Sequence, residues 1–172
     1  WVPLANPGVR AVIAKFAVRP KLRAVRHVVQ DEPDDRFILR EDFNRGVALL
    51  KDFGLVYDIL IFERHLPAAI EFVDRHPGQV FVLDHIAKPF IKDQKIEPWS
   101  ADIRRLASLP NVACKISGMV TEADWQSWEP SDFTPYLDTV FECFGTKRLM
   151  VGSDWPVCTL KSSLSRWMDT LL

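Results

Sequence analysis

Two side chains in this sequence stand where α/β proteins do chemistry. Asp154 follows the apolar run Leu149-Met150-Val151 across Gly152 and Ser153, and Trp155-Pro156 ends the segment. A carboxylate where a buried strand runs out has a rigid, dry core behind it and an open mouth in front. Asp is also common in turns and caps, so the residue alone is ambiguous. His85 comes shortly after a second apolar run, 80–83. A neutral imidazole there can polarise a carbonyl or ligate a metal. An Asp and a His at the ends of separate strands is a more specific signal than either residue alone.

Other runs end in Gln30 and Glu32, in Arg64 and His65, in Lys88, and in Lys115 and Ser117. Arg64 and Lys115 are candidate contacts to a substrate carboxylate or hydroxyls, Arg64 by a bidentate fork. His65 either caps the helix it opens or joins them as a substrate contact. Trp155 is a candidate pocket wall or a packed aromatic. Glu32 lies among Asp31, Asp34 and Asp35, a pattern that usually means a solvated loop. His27 lies mid-strand and reads as packing, and His76 suits a helix C-terminus.

The elements that position these groups alternate. Strands are expected over 24–30, 55–62, 80–83, 111–116 and 149–151, and 1–4 looks like the tail of another. Helices are expected over 9–17, 41–53, from Pro67 to about His76, 99–109, 133–144 and 162–172. Gly54 and Gly145 are placed to stop two of them. Strand starts recur roughly every thirty residues, the spacing of βαβ units. An open doubly wound sheet and a (β/α)8 TIM barrel both fit this rhythm. No Gly-rich phosphate fingerprint follows any strand, which counts against a nucleotide-binding open sheet. Polar groups at every strand end favour the barrel, whose strand ends converge on one mouth. Five strands cannot close eight, so 1–172 reads as one partial barrel domain lacking about a third of a ~250-residue fold.

Hydrophobic residues make up 48% of the chain, enough for a core, and 26% are charged. The net charge is −1 with no basic stripe, which sets aside nucleic acid and anionic membrane surfaces as partners. No apolar run approaches a membrane span. Cys114, Cys143 and Cys158 are odd in number and lack C-x-x-C spacing, so they read as reduced thiols of a cytoplasmic protein. A small-molecule substrate is the expected partner, and a homo-oligomer stays open.

Four segments carry a resemblance: VRHVVQDEP at 25–33, FVLDHIAKP at 81–89, CKISG at 114–118 and RLMVGSDWPV at 148–157. Together, in this order, they resemble the amidohydrolase superfamily, specifically its amidohydrolase-related (type 2) branch. That branch includes sugar lactonases, fuconolactonase among them, and pyrone-dicarboxylate lactonase. The resemblance implies an α/β fold, a partial (β/α)8 barrel covering about strands four to eight. It implies that Asp154 activates the attacking water and can touch a metal, and that His85 polarises the scissile carbonyl. Glu32 lies near an acidic group that ligates metal in some members.

The family's first-strand His-x-His pair has no counterpart here, and the strand over 55–62 leads into Glu63-Arg64-His65 rather than a simple ligand histidine. One divalent metal, zinc or similar, and a metal-free mechanism therefore both stay open. The implied reaction is hydrolysis of a small sugar-acid or dicarboxylate lactone. Its rivals are metal-dependent decarboxylation within the superfamily and a truncated barrel that only binds. The 172 residues by themselves are expected to be inactive, with part of the mouth missing and a sheet edge open.

Overall fold

The computed structural model describes residues 1–171. Helix α1 (Val9–Ala17) precedes strand β1 (Ala24–Val28). There follow α2 (Glu41–Ala48), β2 (Val56–Leu60), α3 (Leu66–Asp74), β3 (Phe81–Leu83) and α4 (Trp99–Ala107). The rest is β4 (Val112–Ile116), a single turn α5 (Met119–Glu122), α6 (Thr134–Phe144), β5 (Leu149–Val151) and α7 (Leu164–Leu171). The five strands form one sheet, all parallel, in the order β1-β2-β3-β4-β5. A doubly wound sheet reverses its order at a switch point. Five consecutive strands of a barrel do not, and this order is theirs. The fold is α/β, part of a (β/α)8 barrel.

The two faces of the sheet differ, as a barrel wall requires. Residues alternate across a strand, and here Val25, His27, Tyr57, Ile59, Phe81, Leu83, Val112, Cys114 and Ile116 are buried. They pack beneath the crossover helices, where α3 meets α4 and α4 meets α6. An aromatic row through Phe37, Phe43, Tyr57, Phe72 and Phe81, with centroids 5.2–6.3 Å apart, fills this layer. The opposite face carries Arg26, Asp58, Lys115 and Met150, with Arg26 opposite Asp58 and Lys115 opposite Met150 in the register. In a closed barrel that face lines the interior.

Several expected boundaries move. The segment 1–4 is not a strand but leads into turns, although Val2 N–H donates to Arg26 C=O at 3.3 Å. The helix expected over 41–53 ends at Ala48, and Leu50–Phe53 tighten into a 3₁₀ turn closed by Gly54 at φ 63°. β1 stops at Val28, where the chain turns at once into the 3₁₀ segment Val29–Asp31, and β2 stops at Leu60, two residues before the 3₁₀ segment Glu63–His65. The last helix starts at Leu164, after an unforeseen 3₁₀ turn over Val157–Leu160, and Leu172 lies outside the described residues. Among the described residues no helix is long and apolar enough to cross a membrane.

Candidate active site

β3 ends in a backbone conformation the sequence gives no warning of. His85, Ile86, Ala87 and Lys88 all have positive φ, at 54°, 47°, 61° and 50°. For L-residues this conformation costs about 1–2 kcal/mol each, so surrounding contacts must enforce it. Asp84 anchors the entry: it is 1% exposed, its Oδ1 accepts from Lys115 Nζ at 2.7 Å and its Oδ2 from Arg26 at 3.1 Å. Ile86 and Ala87 are fully buried, and Ile86 C=O accepts from Trp99 Nε1 at 2.7 Å. Lys88 N–H donates to His85 C=O at 2.8 Å and closes the turn. The His85 imidazole is thereby left at the C-terminal end of the sheet, mostly buried, with Nδ1 2.8 Å from Ser117 Oγ at the end of β4.

Asp154 reaches the same place from β5. Gly152 N–H donates to Ile116 C=O at 3.0 Å, extending the β4–β5 pairing, and Trp167 Nε1 donates to Gly152 C=O at 3.0 Å. Asp154 then takes φ 55°, a region that Asp tolerates better than most residues. Its C=O accepts from Cys158 N–H at 2.9 Å. The carboxylate points inward, and Oδ1 lies 3.7 Å from His85 Nε2. That is too long for a direct hydrogen bond. It is close enough for one oxygen atom to meet both groups.

Burial pushes the His85 imidazole below the ordinary histidine value. The charges of Asp154 and Asp84 work against this, while Lys88 and Arg26 reinforce it. Burial thus favours the neutral form of the ring. The 2.8 Å contact accommodates either tautomer; the one in which Ser117 Oγ–H donates to Nδ1 leaves the proton on Nε2, facing Asp154, and suits a carbonyl polariser.

The other expected site residues take different places. Lys115 sits in an ion-pair network: its ammonium holds Asp58 at 2.9 Å and Asp84 at 2.7 Å on the interior face. Burial disfavours its charge, but the two carboxylates outweigh that and hold it above the usual lysine range. Arg64 is exposed, donates to Asp35 at 2.9 Å and lies over the Phe62 ring. His65, named as a candidate substrate contact, is fully buried. Its Nδ1 accepts from Phe62 N–H at 3.1 Å and Nε2 lies 3.0 Å from Asp35, so the ring builds the turn that opens α3. Trp155 is largely exposed beside Asp154.

Glu32 accepts from His27 Nε2 at 2.6 Å at the end of β1, on the edge of the sheet opposite β5. Among the described residues no three His, Cys, Asp or Glu side chains converge as a metal centre. Glu32 and Asp154, the two residues named as metal candidates, thus stand at opposite edges of the sheet.

Sequence reasoning overlooked Asp58, Asp84 and Gly118, whose backbone lies against the His85 ring. Asp58 carried a signal, being a lone carboxylate between the apolar residues of 55–62. Asp84 was hidden by its neighbour His85.

Over residues 1–172 the chain matches the Amidohydrolase family. It is 42% identical to an L-fucono-1,5-lactonase of Burkholderia multivorans, covering 100% of this chain and 64% of that one. A second L-fucono-1,5-lactonase, from Burkholderia ambifaria, is 39% identical, covering 93% of this chain and 55% of its own length. The crystal structure of an amidohydrolase from Burkholderia multivorans with bound Zn superposes with a TM-score of 0.93 at 43% identity, covering 99% of this chain and 62% of that one. The chain thus spans less than two thirds of the length of the relatives it matches. With a family match along its whole length, the chain belongs to the amidohydrolase family.

Proposed function

We propose that the native protein carrying this chain hydrolyses the lactone of a sugar acid. The observation that carries this reading is the approach of Asp154 Oδ1 to within 3.7 Å of His85 Nε2 at the strand ends. Its support from comparison is the likeness to two L-fucono-1,5-lactonases. Asp154 takes a proton from water as the water attacks the lactone carbonyl. The oxyanion that forms accepts a hydrogen bond from His85 Nε2–H, in a buried setting where such a bond counts for more than in water. Asp154 then returns the proton to the departing ring alkoxide, giving the open hydroxy acid.

Zinc is bound in the related crystal structure. The described residues of this chain offer His85 and Asp154 as adjacent donors and no third, short of the set a resident zinc needs. An ion here would draw on donors beyond these, and the steps above run on protein groups alone.

The test is acid release from L-fucono-1,5-lactone and other sugar lactones by the native protein, followed with a pH indicator. One equivalent of acid per lactone is expected. Release of CO₂ from a carboxylic acid substrate, without lactone opening, would replace this reading by the decarboxylase one. Saturable lactone binding with no acid release would leave only a binding protein.

A further inference from the structure

Ser117 takes no step in the reaction above, yet it touches the setting of both members of the pair. It follows β4 directly, is 2% exposed, and its Oγ lies 2.8 Å from His85 Nδ1. The Gly152 backbone stands against it: a Cβ built on Gly152 would meet Ser117 Cβ at 3.2 Å and Oγ at 3.5 Å. Gly152 is pinned by its hydrogen bonds to Ile116 and Trp167, and it precedes Asp154 by two residues. The serine is thus wedged between the segments that present the imidazole and the carboxylate.

A contact between a hydroxyl and a ring nitrogen can run either way, so its direction comes from what else the two groups meet. Among the described residues Ser117 Oγ has no hydrogen-bond partner besides His85. If Nδ1 carried the proton and donated, the hydroxyl proton of a buried serine would lack an acceptor, an arrangement buried polar groups avoid. With Oγ–H donating, that proton is satisfied. The far side of the ring adds a second reason. Nε2 lies 3.7 Å from Asp154 Oδ1. A bare lone pair there would confront a carboxylate oxygen, whereas an N–H turns the positive end of its dipole toward it.

We propose that Ser117 is the positioning residue of the pair: by donating to Nδ1 it keeps the His85 proton on Nε2, so that a donor and not a lone pair meets the oxyanion. The hydrogen bond made by one ring nitrogen sets the state of the other. Ser117 acts through His85 rather than on the substrate. Its use in catalysis rests on the lactonase reading, while the state of the ring is measurable without turnover.

The experiment is ¹⁵N NMR of the histidine rings of the native protein in mildly alkaline buffer, with the His85 signals identified by their loss in His85→Asn. A protonated Nε2 and an unprotonated, hydrogen-bonded Nδ1 are expected; a proton on Nδ1 overturns the proposal. In Ser117→Ala part of the proton population is expected to move to Nδ1. With it, kcat for L-fucono-1,5-lactone should fall about tenfold at unchanged KM, the scale of one hydrogen bond. A proton that stays wholly on Nε2 in this variant, or one that moves with kcat unaltered, overturns the role and leaves Ser117 as packing. Should Ser117→Ala fail to fold, Ser117→Cys, with its weaker S–H donor, is read in the same way. If the native protein opens no lactone, the lactonase reading fails, and the ring states of the native and variant proteins decide the role of Ser117 alone.

Discussion

A Cβ built on Gly118 would stand 2.8 Å from His85 Nδ1, so the imidazole lies directly against the Gly118 backbone. Gly118 also has φ 66°, a conformation L side chains rarely adopt. Two independent reasons therefore require glycine at this position, and both bear on the placement of His85.

Gly118→Ala is accordingly expected to lower stability by roughly 1–3 kcal/mol, the scale of a strained left-handed residue plus a forced contact. It should also push the imidazole off its 2.8 Å contact with Ser117 and reduce lactone turnover with it. Urea unfolding and acid-release kinetics measure the two effects. A variant as stable and as active as the parent would mean that His85 does not need this seat.

Asp154→Asn preserves side-chain shape and tolerates the positive φ at this position. It should lower kcat/KM by roughly 10²–10⁴, the range for losing an acid–base group. His85→Asn tolerates its own left-handed conformation for the same reason and should lose turnover without unfolding. Near-parental rates in the Asp154 variant would remove it from the mechanism, and near-parental rates in the other would leave His85 as a structural residue.

Lys115→Met separates scaffold from binding. Removing the ammonium leaves Asp58 and Asp84 side by side without their shared cation, next to the segment that presents His85. Because Lys115 itself is partly solvated, the expected loss is discounted to roughly 2–4 kcal/mol. Thermal or urea denaturation measures it. A large rise in KM with stability intact would instead restore Lys115 to the role of a substrate contact.

The histidines give stability a pH dependence with a definite sign. Burial is the main cause that depresses His65, His76 and His85 below 6.5 in the folded chain. The unfolded chain then binds protons first, so stability falls as pH drops from about 6.5 through the depressed folded values, and it levels off below them. Asp58 and Glu122, whose carboxyls burial raises, act oppositely, favouring the folded state at low pH and losing that contribution as pH rises through their folded values. Urea midpoints measured between pH 7.5 and 5.5 should decline; midpoints that hold steady or rise would contradict the burial of these rings as neutral species.

The ends of the strands were legible because apolar runs followed by polar groups are a local pattern. His85 and Asp154 were found in that way, and the structure brings them within 3.7 Å. Lys115 and His65 show the limit of the same reasoning. Both follow or sit in strand-end segments, yet one faces two carboxylates, on β2 and just past β3, and the other is buried under a turn. What separates a ligand contact from a scaffold residue is the set of partners across the sheet, and those partners lie 31 and 57 residues away for Lys115.

By itself the sequence determined the alternation of strand and helix, the parallel sheet it implies, and which strand ends carry polar groups, because periodicity and turn residues act over a few positions. It also carried the four family segments. The tertiary structure alone decided the left-handed path from His85 to Lys88, the glycine seat beneath the imidazole, and the Arg26–Asp84–Lys115–Asp58 network. Each depends on groups from separate strands meeting in space, where buried partners can enforce a backbone and hold charges that no local stretch would favour.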